Sequence, residues 1–154
     1  MEIDLLEEIE EGLEGLANWR AQKAIEYPAD RRNQEAVEIA KALLASNRTI
    51  DPATSTRFAQ LVAELNAHSE AEYLIVDYCE SKSLMFRRIG FWSDPVSFTD
   101  VANDLCDIVD AVLAGRKSDD PRLADNSAGS IFGGMQRLHS ALQTAQKKER
   151  RNAR

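Results

Sequence analysis

Cysteine is nearly absent: the 154 residues hold only Cys79 and Cys106, each inside an apolar, helically spaced stretch. Two isolated cysteines make no disulfide framework; they read as small buried hydrophobes in a reducing compartment. Long apolar runs are absent too, and no window approaches the roughly 18 residues that a membrane-spanning helix needs. Residues 1–14 lack lysine and arginine, whereas a secretory signal opens on positive charge, so the expected location is the cytoplasm. Histidine is scarce, with His68 and His139 falling in different segments. No Cys/His set has zinc spacing, and neither a Walker loop nor a dinucleotide-binding glycine pattern occurs. Alternation of period two is missing, and with it the mark of half-buried strands, as is any internal repeat. These absences leave no catalytic residue, no metal ligand and no cofactor to assign.

What is there is charge, unevenly placed. The formal net charge is −7. Glu2, Asp4, Glu7, Glu8, Glu10, Glu11 and Glu14 account for all of it, and the remainder of the chain balances. At the other end Lys147, Lys148, Arg150, Arg151 and Arg154 face a single Glu149. A negative head and a positive tail suit an interaction surface, or mutual attraction between the ends. With 44% hydrophobic and 29% charged residues, the composition is that of a globular protein. A chain this long buries roughly 68–70% of its unfolded surface, enough for one core without staples.

Helical spacing dominates the pattern. Ile3, Leu6, Ile9, Leu13 and Leu16 recur three and four apart as a narrow seam, which Tyr27-Pro28 ends. Asp30 is placed to cap a second helix with Val37, Ala40, Leu43 and Leu44 inward, and Asp51-Pro52 starts a third through Phe58, Leu61, Val62 and Leu65. Ser69 with Glu72 forms a capping box for a fourth helix, apolar on most sides over Tyr73–Cys79 and therefore expected to be central. Ser97 with Asp100 forms another box before Val101, Leu105, Ile108, Val109 and Val112, with Gly115 as the exit. A last helix is expected from about Ile131, after a polar connector. The expected fold is all-α: a single-domain bundle of about six helices with short connections over residues 1–146. Residues 147–154 form a basic tail with the composition of a disordered end.

Two stretches stand out. Leu84–Pro95, "LMFRRIGFWSDP", crowds Arg87, Arg88, Phe91 and Trp92 around Gly90. Gly90 fits a left-handed C′ residue, with Phe91 packing back as C″, which explains the corner structurally. Tryptophan and arginine also concentrate at protein interfaces, and two guanidinium groups can hold a carboxylate or phosphate. The second stretch is the head, Glu7-Glu8-x-x-Glu11. It half-resembles the paired-carboxylate signature of all-α nucleotide pyrophosphohydrolases of the MazG type. That resemblance implies Mg²⁺ held against a triphosphate by carboxylates on neighbouring helices. Such enzymes carry a second helix with Glu-x-x-Asp, which this chain lacks; its nearest substitute is Asp104-x-x-Asp107-x-x-Asp110. Asp100 and these three acids line the side of their helix opposite the apolar stripe, where they keep a face wet.

The expectation is therefore a small acidic helical protein that works by protein–protein binding, as an inhibitor, an immunity or antitoxin-like protein, or an adaptor. Its contact residues are expected to be Glu7, Glu8, Glu11 and Glu14, with Arg87, Arg88, Phe91 and Trp92. The acidic helix is suited to covering a basic groove that otherwise receives nucleic acid. Self-association is a second expectation, since the narrow seam suits helix pairing and the acidic head could meet a second copy's basic tail. A Mg²⁺-dependent hydrolase, and nucleic-acid binding through the basic tail, are the alternatives. Neither a membrane nor a nucleic acid is expected as a direct ligand of the leading reading.

Overall fold

A computed structural model describes residues 2–68 and 71–118, with side chains through residue 115. Five helices span the described residues: α1 (Leu5–Glu26), α2 (Arg31–Ala45), α3 (Pro52–Ala67), α4 (Ala71–Arg88) and α5 (Phe98–Ser118). The described residues contain no strand, only one isolated bridge between Ile89 and Ser93. The sixth helix expected from about Ile131, the polar connector, the basic tail and the Ser69 capping box lie outside the described residues. No described helix is long and apolar enough to cross a membrane.

The helix boundaries follow local chemistry. The Asp4 carboxylate accepts the Glu7 N–H at 3.1 Å and caps α1, and Tyr27, ahead of Pro28, leaves helical angles to close it. Asp30 caps α2 by accepting the Arg32 N–H. The Asp51 carbonyl accepts Ser55 N–H as α3 begins at Pro52. Ser97 Oγ accepts the Asp100 N–H at 3.1 Å, but the Asp100 carboxylate takes the N–H of Val96, one residue earlier than a reciprocal box requires. Gly115 does not end its helix, because α5 continues to Ser118.

The described residues fall into two compact units. Among the described residues, unit 1 comprises 2–62 and 83–106, and unit 2 comprises 63–68, 71–82 and 107–118. In unit 1, α1 packs on α2. The buried line of α1 is Ile9, Leu13, Leu16 and Arg20; that of α2 is Asn33, Ala36, Ala40 and Leu43. Gly12 lets the Phe86 ring lie against α1, since a Cβ there would stand 2.2 Å from that ring. In unit 2 the buried apolar residues include Leu65, Leu74, Tyr78, Ile108, Val109 and Val112.

Two expectations about α4 need correction. The helix is not buried all round: Tyr73 is 48% and Val76 51% exposed. Its buried line runs Leu74, Asp77/Tyr78, Ser81, Met85, the three- and four-residue steps of a single face, and therefore carries two polar residues inward. Cys79 falls off that line and is exposed, whereas Cys106 is buried as expected; neither is in a disulfide.

Candidate functional site

The seam of α1 does not stop at Leu16. Four residues on, the same line reaches Arg20, which is only 8% exposed. A charged group at a core position must find compensation, and Arg20 finds it from three elements. Its Nη1 donates to Asn33 Oδ1 of α2 at 2.9 Å, and its Nη2 donates to the Arg87 carbonyl at the end of α4. Its guanidinium carbon lies 3.7 Å from the Phe91 ring centroid and 4.6 Å from that of Trp19. Nε is buried without a hydrogen-bond partner among the described residues.

The stacking extends both ways. Arg32 lies 4.6 Å over the Phe91 ring, and Arg87 lies 4.7 Å over Trp19. The result is a ladder in which cations and rings alternate: Arg32, Phe91, Arg20, Trp19, Arg87. Lys23 adds a fourth cation at 5.5 Å from Trp19 and 5.8 Å from Tyr27. Each such contact contributes about 0.5–1 kcal/mol when exposed and about 2 when desolvated. The ladder is thus a structural element as well as a surface.

The turn after α4 delivers Phe91 to this position. Gly90 has φ +89°, the expected left-handed glycine. A Cβ at Gly90 would also stand 2.7 Å from the Ala36 Cα, so the turn presses directly on α2. The hydrogen bonding differs from the expected C-cap. Gly90 N–H donates forward to the Ser93 carbonyl at 2.7 Å, while Phe91 and Trp92 N–H both donate to the Arg88 carbonyl at 2.9 Å. The Phe91 ring stacks on guanidiniums from α1 and α2. Trp92 lies against Phe91 with centroids 6.1 Å apart.

Charge is unbalanced here. Burial, and then the neighbouring Arg32, lower the pKa of Arg20 to about 10, with Arg87 adding to the effect and Asp30 opposing it. Arg20 still remains a cation at neutral pH. At one end of the ladder Arg32 grips Asp30 with two prongs, Nε to Oδ1 at 3.0 Å and Nη2 to Oδ2 at 2.9 Å. That bond holds the Asp30 carboxyl below its ordinary pKa and Arg32 above its own. At the other end Arg87 is exposed and has no carboxylate partner among the described residues. Arg88 is separate from Arg87: its side chain is largely buried, Nε has no hydrogen-bond partner among the described residues, and burial lowers its pKa against the pull of Asp104. The two adjacent arginines therefore do not form one fork.

The expected acidic contacts sit elsewhere in the same unit. Glu7, Glu11 and Glu14 are exposed on α1, four and three residues apart and thus on one line. None of the three has an ion pair among the described residues. Glu8 is half-buried, and Glu10 pairs with Arg48. Among the described residues no three His, Cys, Asp or Glu side chains are grouped to hold a metal ion. The pyrophosphohydrolase-like half-motif thus comes without a ligand set there. Asp107 and Asp110 are exposed on α5.

Of the residues that the sequence singles out, Arg87 and Phe91 lie in the ladder, Trp92 lies against Phe91, and Arg88 and the acidic residues of α1 lie apart from it; Trp19, Arg20, Arg32 and Asn33 are not singled out. The available signal was Arg20 itself, the next position on a seam counted only in apolar residues. No family model matches the chain, and no curated protein or solved structure is significantly similar to it.

Proposed function

We propose that this protein is a binding module for another protein, of the inhibitor, immunity or antitoxin-like, or adaptor kind. Its acidic ridge covers a basic surface of the partner, of the type that otherwise receives nucleic acid. The observation that carries this reading is the line Glu7, Glu11, Glu14, exposed and without an ion pair among the described residues. Three uncompensated carboxylates on a rigid helix form a localised field that steers and orients a cationic partner. The ladder, with its tryptophan and arginine content, supplies the second contact region. Free Cys79 and Cys106 suit a reducing compartment such as the cytoplasm.

The test is capture of partners from the native host by the full chain, compared with capture by an E7K/E11K/E14K variant. All three positions are exposed on a helix surface, so the variant keeps the fold. A protein with a basic face retained by the native chain and lost by the variant is the expected result. Equal retention by both would refute the assignment of the ridge.

A further inference from the structure

The ladder's two ends are unequal. Arg32 is closed off by a carboxylate, Asp30, while the Arg87 end has none. Arg31, which precedes Arg32 in the first turn of α2, is also exposed and without an ion pair among the described residues. The end of α1 also exposes apolar side chains: Ile25 is 74% and Tyr27 58% exposed, the Tyr27 ring lying 5.8 Å from Lys23. The same chain carries the complement. Glu7, Glu11 and Glu14 are exposed and unpaired among the described residues, and Leu6, 37% exposed, stands beside Glu7.

We propose that the ladder is the docking site for the acidic ridge of a second copy of this chain. Arg87 and Arg31 take the ridge carboxylates, as Arg32 takes Asp30, and Leu6 packs against the exposed apolar side chains at the end of the partner's α1. Surface ion pairs contribute little each, so the contact needs these apolar anchors and gains from preorganisation. The Arg87 guanidinium is already stacked on Trp19 and loses little freedom when it grips a carboxylate. The basic tail, the other candidate partner for the ridge, offers only cations without aromatics in its sequence. Ridge and ladder are different patches, so a closed pair uses each contact twice around a two-fold axis. The buried seam of α1 takes no part, because Ile9, Leu13 and Leu16 are covered within the chain. This inference rests on the reading of the ridge as a contact surface. It adds that self-association and a basic partner compete for that ridge.

Sedimentation equilibrium of the full chain tests it. The expected result is an apparent mass that rises from 17.2 kDa toward a dimer with concentration and falls back as salt is added. Reversing the ridge (E7K/E11K/E14K) or the receiving cations (R31E/R87E) is expected to weaken association by about tenfold or more. Mixing the two variants restores it, because each reversed patch then meets its complement on the other chain. R31E alone, at an exposed helix N-terminus that tolerates acid, carries the test if R87E disturbs the fold. A monomer at every concentration overturns the proposal. So does a dimer indifferent to both reversals, or one lost only when Lys147, Lys148, Arg150 and Arg151 are reversed. A monomer that still captures a basic partner overturns this proposal alone, whereas a dimer of the expected behaviour that captures none overturns the partner reading alone.

Discussion

Single side chains carry an uncommon share of this structure's constraints. Arg20 holds α1, α2 and the end of α4 together by two hydrogen bonds and two ring contacts. Arg20→Ala leaves Asn33 and the Arg87 carbonyl without their donor, and a loss of about 3 kcal/mol is expected in urea denaturation. Arg20→Lys recovers little of it, because an ammonium lacks the planar fork that donates to Asn33 and to the Arg87 carbonyl from two nitrogens. Asp77 is the other costly position, 3% exposed, with its pKa raised to about 6 by burial first and by Glu80 second. A raised carboxyl pKa means that folding favours the protonated form. Its contribution is complete below the unfolded value of about 3.9 and is lost as pH climbs through about 6, a change of about 3 kcal/mol at most. Asp77→Asn should therefore gain stability relative to the native chain between pH ~4.5 and pH ~8. An unchanged difference across that range would show that the carboxyl is not penalised by burial. Neither residue was legible in the sequence, because a count of apolar positions passes over a charged side chain on a buried line.

At the scale of elements, much was legible. Capping aspartates and prolines locate the starts of α2 and α3, and helical spacing identifies α4 against a strand. What escaped was the set of close approaches between helices, which depend on partners far apart in sequence. Glycines Gly12 and Gly15 look equivalent in sequence and are opposite in structure. A methyl group at Gly12 collides with the buried Phe86 ring, while at Gly15 it meets nothing within 4 Å. Gly12→Ala should cost about 1 kcal/mol or more by overpacking, and Gly15→Ala should gain about 0.5–1 by helix propensity. The pair is read in one set of denaturation curves, and a shared sign would contradict the packing of α1 on α4. Gly90→Ala faces both a left-handed backbone and the Ala36 Cα. A loss of about 3 kcal/mol is expected, together with reduced protection of the turn that places Phe91. Gly115 misled as an exit because one glycine costs an otherwise apolar-striped helix only about 1 kcal/mol.

For the whole molecule, the main feature is segregation of charge within unit 1. The chain is acidic overall, yet Arg20, Arg32 and Arg87 gather around two rings while Glu7, Glu11 and Glu14 hold a separate line. The acidic line was visible in the sequence because it is local. The cationic ladder was not, since its members come from α1, α2, α4 and the Gly90 turn. The proposed binding, resting on two such oppositely charged surfaces, is expected to respond to ionic strength. The most direct measurement is therefore the dissociation constant for a captured partner between ~0.05 M and ~0.5 M salt, where screening shortens from over 10 Å to under 5 Å. A steep loss of affinity, mostly abolished in E7K/E11K/E14K, is the expected result. An affinity that stays constant across that range would contradict the binding role assigned to the acidic ridge.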